Sequence, residues 1–580
     1  MRAVIFVLLL SSVALSHGLG GMATHKCVHD VKFKDNEVME MPTLTAHEKA
    51  RLLQSLTGGT NPNYWNGAYA NYWGNSPPAT PAAPAAPVAP PKPTVQTVND
   101  GWHQFRIGVD LSYADKLVLS NPALKTKYEL SVRLIESVRN YFSRYFEVNY
   151  FPTMDFKGGS CQGNKIEAFS KPVDLFITVA PENDPSTDYF AAAAPCYISP
   201  RDGRPTVGAY ILNLAFLETS YLNEFLYFST FAHEFTHILG FTDSLYPKFV
   251  KPGTTIKRTD VTAEFTISGE KYTAITMPEV VNFARGFFGC SQLPGVPLEN
   301  NGGSGSAGSH WEKLFLPQEY MNPTVENPGI ISDFTLTFLK ATGWYQVDAN
   351  AAQRYDWGEK AGCGHFSVCP QNSTGYCTEA QVSQSICSSE WMSKAVCTQD
   401  RTFSSGCFVK RSREHSCLLK DTFKQGDTEY YGPDSRCLNY VSNGGYAAQC
   451  HKVACTNTGI DIIVGSKKVT CAANEGGKTK EVGLNFQLQC PDYNNFCSEF
   501  AAKCVDDCNG AGICTKAKVC YCYTGFTGNS CGTKSTSLDY TKINKIASNG
   551  GAKSEAGLSS NIVSVAMAMI AIGVSHLLAF

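Results

Sequence analysis

A chain of 580 residues with 43% hydrophobic and 12% aromatic residues has an ordinary globular composition and too much length for one core, which points to three or four domains. Its formal net charge of −2 gives no electrostatic reason to expect nucleic acid or an acidic partner. Cysteine is informative: there are 23, and 19 lie between Cys363 and Cys531, a density that a reducing cytosol does not maintain as disulfides, so the chain is expected outside the cell.

Residues 1–16 carry one basic residue, Arg2, then an apolar run and the small residues Ala14 and Ser16, the layout of a signal peptide rather than of a buried helix. Residues 17–95 read as a prosegment. Its one suggestive cluster is His25-Lys26-Cys27-Val28-His29-Asp30. A thiolate from Cys27 can fill the fourth position of a zinc and keep water out; the competing reading is a structural disulfide. Setting Cys27 aside leaves 22 cysteines, enough for eleven complete bridges. PPATPAAPAAPVAPPKP (77–93) neither packs a core nor forms a helix, so it is expected as a solvated, protease-accessible tether.

A first globular subdomain is expected over 96–241. FRIGVDL (105–111) reads as a strand. Residues 123–146 read as a long amphipathic helix with Leu130, Leu134, Val138, Tyr141 and Phe142 along one stripe. VDLFITVA (173–180) and PTVGAYILN (205–213) follow as strands, the latter expected to hold an extended peptide. LNEFLYFSTFAHEFTHILG (222–240) then reads as a mostly buried helix stopped by Gly240. On it, His233 and His237 lie one turn apart on one face beside Glu234. Two imidazoles and a carboxylate in this pattern suit a zinc ion whose bound water loses its proton to Glu234.

A catalytic zinc needs a third protein ligand. The local candidate is Asp243, six residues past His237 and just beyond Gly240. The distant one is His310, in the glycine- and serine-rich run 302–310, with Met321 eleven residues further on; taken alone, His310 also reads as a surface loop histidine. The ordered set His233-Glu234-x-x-His237-x-x-Gly240-Phe241, Gly308-Ser309-His310, and Met321-Asn322-Pro323 followed by Val325-Glu326-Asn327-Pro328 resembles the leishmanolysin family of surface metzincin proteases (peptidase family M8). The resemblance extends to the Cys27 cluster and to Ser332-Asp333-Phe334-Thr335 through Gly343-Trp344-Tyr345.

The resemblance implies a metzincin-type catalytic domain, a twisted sheet plus metal helix in an α+β chain. It makes His310 the third ligand to Zn2+ across an insertion of 69 residues after Gly240, within a second subdomain at 242–350. It makes Met321 the turn under the metal, Cys27 a latency switch, and Glu234 the general base and then the acid toward the leaving amine. Asp243 is left without a role on the metal. Protein and peptide substrates are implied, with no residue here fixing the pocket.

Residues 351–503 are rich in cysteine, glycine and short strand-like runs such as IDIIVG (460–465) and VGLNFQLQC (482–490), and read as a disulfide-stapled, β-dominated domain. Asn372-Ser373-Thr374 is a glycosylation acceptor sequence. In 504–531, six cysteines at intervals of 3, 5, 5, 1 and 8 residues resemble an EGF-like module. A stalk at 532–549 leads to 550–580, where an apolar terminal run behind small residues is the layout of a lipid-anchor signal, with a transmembrane helix as its rival. Two functions are open: an anchored extracellular zinc endopeptidase, or an adhesion protein that binds extracellular ligands through its cysteine-rich and EGF-like regions. The intact Glu234 favours the first.

Overall fold

The structure, a computed structural model, describes residues 38–41 and 101–535, apart from short gaps at 150–152, 188, 218–223, 304–305, 325–328, 368, 370–374, 420–427, 443–444 and 483–486. The signal segment, Cys27, the proline-rich tether, Val325 to Pro328, Asn372, most of the stalk and residues 550–580 lie outside the described residues.

The chain is mixed α and β. Its first half builds a five-stranded twisted sheet from β1 (Ile107–Asp110), β2 (Leu175–Glu182), β3 (Ala191–Ile198) and β4 (Pro205–Asn213), in the order β3-β4-β2-β1, with Met39–Glu40 along the outside of β3. β4 runs parallel to β2 and antiparallel to β3, and β2 runs parallel to β1. Because β4 is paired on both sides, it has no edge for an extended peptide, and the sequence expectation on that strand is corrected: on that side of the sheet β3 lies outermost but for Met39–Glu40, which pairs with its Tyr197 and Ile198. Val38 and Met41 pack on the core beside it, and Met41 N–H donates to the Ile198 carbonyl at 2.8 Å.

Two long helices lie against this sheet. α1 (Lys125–Tyr145) buries the expected stripe of Leu130, Leu134, Val138, Tyr141 and Phe142. α2 (Glu224–Leu239) is apolar almost all round and correspondingly buried from Leu226 to Leu239. The two meet through aromatic rings, Phe142 stacking on Phe235 with centroids 5.0 Å apart. Arg133 of α1 forks onto Glu224 at 2.6 and 2.7 Å and so pins the first turn of α2. α2 sits close to the sheet because β4 offers Gly208; a Cβ there would lie 2.6 Å from Ile238 Cγ2. Gly240, at φ 144°, ends the helix in a conformation that side chains disfavour.

The insertion after α2 forms a small sheet of β5 (Thr262–Ile267), β6 (Glu270–Ile275) and β7 (Val296–Pro297), with α3 (Pro278–Phe288) between the last two strands. α4 (Asp333–Ala341) follows, capped by the Ser332 hydroxyl accepting from Phe334 N–H. Beyond it, the chain is β-dominated, with a three-stranded and a six-stranded sheet.

All 22 cysteines among the described residues pair, as eleven disulfides, which accounts for every cysteine of the chain except Cys27. Cys161–Cys196 ties the short strand Gly159–Cys161 to β3, and Cys290–Cys363 joins the end of α3 to the cysteine-rich region. Residues 504–531 close on themselves through Cys504–Cys514, Cys508–Cys520 and Cys522–Cys531. This unit is docked: its Tyr521 and Tyr523 belong to the main core, and Tyr523 packs 4.9 Å from Phe228 of α2. That cover explains why polar residues of α1, Arg133, Glu136 and Ser137, are buried as well. Among the described residues, no helix is long and apolar enough to cross a membrane.

Candidate metal centre

Three histidines converge. His233 and His237 come from successive turns of α2 and His310 from the segment after the insertion; all three are buried, and their ligand nitrogens lie within 4.8 Å of one another. The His233 and His310 rings lie near-parallel at 5.2 Å, and His237 stands edge-on to both, at 4.7 and 5.0 Å.

The hydrogen bonds fix which nitrogen of each ring points inward. Nδ1 of His233 lies 2.5 Å from the Tyr320 carbonyl, Nδ1 of His237 lies 2.7 Å from the Phe241 carbonyl, and Nδ1 of His310 lies 2.8 Å from the Ser306 carbonyl. A carbonyl oxygen only accepts, so each Nδ1 carries the proton and each Nε2 presents its lone pair. Nε2 of His233 and Nε2 of His237 stand 3.1 Å apart, so neutral rings place two lone pairs face to face. Burial pushes the His233 pKa down to about 4, against the raising effect of its bond to Tyr320, which keeps that ring neutral at physiological pH. Three neutral imidazoles, each oriented by a main-chain acceptor, are a donor set that fits zinc.

His310 is not held by a loose loop. Glu299 N–H donates to its carbonyl at 2.9 Å and Gly308 N–H to the Glu299 carbonyl at 2.9 Å, so the end of the inserted subdomain grips both sides of His310. Asp243, the local alternative, is exposed and stands outside the cluster; its main-chain N–H reaches the Ser309 hydroxyl at 3.3 Å. Glu234 is buried on α2 directly after His233.

Met321 is buried in a tight turn closed by Asn322 N–H donating to the Glu319 carbonyl at 3.1 Å. The turn fastens both sources of histidine. Beyond the Tyr320 carbonyl on His233, the Tyr320 hydroxyl donates to Thr236 at 2.9 Å, and Trp311 N–H donates to the Met321 carbonyl at 3.1 Å. Thr236 is the acceptor in that pair because its own proton goes to the Ala232 carbonyl. The carbonyls of Tyr320, Phe241 and Ser306 had no signal in residue identity, since every residue has one.

A family model described as leishmanolysin (peptidase M8) matches residues 169–424, a span that contains Glu234, the three histidines and Met321. Residues 169–424 are leishmanolysin-like. A leishmanolysin-like peptidase of Caenorhabditis briggsae is 36% identical over 165 residues, 23% of this chain and 25% of that protein. Leishmanolysin of Leishmania tropica is 29% identical over 232 residues, 38% of this chain and 32% of its own length. The ciliated left-right organizer metallopeptidase of Xenopus laevis is 29% identical over 208 residues, 33% of this chain and 28% of that protein. The likeness is thus to a leishmanolysin-like metallopeptidase region, and the chain spans about a quarter to a third of the length of these relatives.

Proposed function

We propose that the chain is a zinc-dependent endopeptidase of the leishmanolysin type, exported, held at the outer face of the plasma membrane and made as a latent precursor. The observation that carries the reading is the convergence of His310, from beyond the insertion, on His233 and His237 of the buried helix α2, which also bears Glu234, with each ring anchored through Nδ1. His233, His237 and His310 are the zinc ligands and Met321 is the floor of the site. Bound zinc supplies Lewis acidity, lowering the pKa of a water and polarising the scissile carbonyl. Glu234 takes the proton from the attacking water and delivers it to the leaving nitrogen as the peptide C–N bond breaks.

Cys27 as a latency switch is supported by the arithmetic of the disulfides, which engage the other 22 cysteines. The three-bridge unit at 504–531 supports the EGF-like reading, and the core the metzincin reading. Glycosylation at Asn372 and a lipid anchor, or a spanning helix, in 550–580 complete the proposal, with ligand binding by the cysteine-rich region as an additional role.

The deciding experiment is casein cleavage by the processed protein with and without 1,10-phenanthroline, beside Glu234→Ala, which should keep its zinc and lose activity by at least about 100-fold. Activity that survives either treatment rejects the mechanism. Cys27→Ser should make the precursor active before processing, and phospholipase C should release the protein from cells.

A further inference from the structure

Glu319 is fully buried, and three donors converge on its carboxylate. Oε2 accepts from Met321 N–H at 2.6 Å, while Oε1 accepts from the hydroxyls of Ser332 and Thr335, both at 2.7 Å. Each hydroxyl is itself engaged as an acceptor. Ser332 takes Phe334 N–H at 3.1 Å, and Thr335 takes the indole N–H of Trp311 at 2.8 Å. The hydroxyl protons are thereby directed at Glu319, and the indole relay arrives from the residue directly after His310.

Glu319 therefore reaches, at one remove, both the turn that orients His233 and the residue that follows His310. Through Met321 N–H it holds the turn whose Tyr320 carbonyl orients His233 and whose Met321 carbonyl receives Trp311 N–H. Through Thr335 it holds the Trp311 side chain. The ligands on α2 and the ligand beyond the insertion have no covalent connection shorter than 72 residues, so their register depends on such a common anchor.

We propose that Glu319 is a positioning residue for the metal centre, the buried acceptor that locks the Met321 turn and Trp311 together and so sets His233 against His310. This role rests on the reading of the three histidines as zinc ligands. Burial pushes the Glu319 carboxyl up to about 7, its three hydrogen bonds opposing that shift.

The chemistry separates this role from that of any buried acid. In Glu319→Gln the amide oxygen can still accept both hydroxyls, but an N–H then faces Met321 N–H, so only the hold on the turn is broken. The test uses the full zinc-loaded chain and follows transfer of zinc to a chelating dye, alongside thermal unfolding and steady-state cleavage of a peptide. Glu319→Gln is expected to release zinc about 10- to 100-fold faster, the range for lost supporting contacts at metal ligands, and to lower kcat with KM little changed. Thr335→Val, which cuts the relay to Trp311 and leaves the turn bond intact, should accelerate release less. Asp174→Asn, a destabilising change remote from the cluster, should lower the unfolding temperature and leave the release rate alone. If Glu319→Gln does not fold, the Thr335→Val release rate decides. Parental release rates in the folded variants, or acceleration equally present in Asp174→Asn, overturn the role. A wild-type chain that holds no zinc overturns the metal reading and this role with it, whereas a zinc-holding wild type with unaffected variants overturns this role alone.

Discussion

Tyr521 donates its hydroxyl to the main-chain carbonyl of Ser137 at 2.6 Å, across 384 residues of sequence. The last disulfide-closed unit is thereby bonded to the middle of α1, and Thr524 N–H adds a bond to the Ser137 hydroxyl at 2.8 Å. This three-bridge unit shares its aromatic residues with the main hydrophobic core.

Tyr523→Ala should destabilise the protein by about 3–5 kcal/mol, as for other large aromatic truncations in a core. Tyr523→Phe should be neutral or stabilising, since the Tyr523 hydroxyl is buried with no hydrogen-bond partner among the described residues. Tyr521→Phe should cost about 1 kcal/mol through its lost bond. Denaturant unfolding of the three variants checks the order; equal losses for Tyr523→Ala and Tyr523→Phe would refute the docking account.

His310→Ala should bind less than one zinc per chain under dialysis, whereas Asp243→Ala should keep both its zinc and its cleavage rate to within about twofold. Metal analysis decides, and zinc loss in Asp243→Ala would return that residue to the ligand set.

Acid stability should depend on Asp174. Burial alone would raise its pKa, but hydrogen bonds from Arg106 and His103 and the nearby Arg204 charge prevail and bring it down to about 2 from an ordinary 3.8. A depressed folded pKa means that the unfolded chain binds more protons between these values. Its stabilisation is complete above about pH 4 and is lost as pH falls through 2, a contribution of about 2 kcal/mol. Asp174→Asn should therefore lower stability at neutral pH and flatten the acid limb between pH 4 and 2, followed by unfolding at graded pH.

Gly208→Ala should cost about 1–3 kcal/mol because its Cβ meets Ile238 Cγ2 at 2.6 Å. Pairing it with Ile238→Val, which keeps Cγ2, should give no relief, whereas Ile238→Ala should recover part of the loss. Thermal melts of the double variants test this, and relief by valine would place the clash elsewhere.

The elements that set the site were readable where periodicity and chemistry coincide. The α1 stripe and the whole of PTVGAYILN appear as read, and the helix bearing His233 and His237 spans Glu224–Leu239 against an expected 222–240. β3 was not legible, because Ala191-Ala192-Ala193-Ala194-Pro195 carries neither β-branched residues nor alternation, and its proline sits where the register with β4 shifts. With β3 unread, PTVGAYILN stood as the last strand before the helix and was expected to hold an extended peptide. His310 was named through its resemblance and neighbouring Met321; its gripping partner Glu299 was invisible, since it acts through main-chain atoms. Glu319 likewise looks like any acidic residue until Ser332 and Thr335 are brought to it.

The Cys290–Cys363 bridge spans 73 positions, and His310, Met321 and α4 all lie on the loop it closes. A backbone nick anywhere in that loop leaves both fragments on one covalent scaffold. Such a molecule would run at full length on a denaturing gel until thiol is added, then split in two. A cut inside the loop need not shed the third histidine.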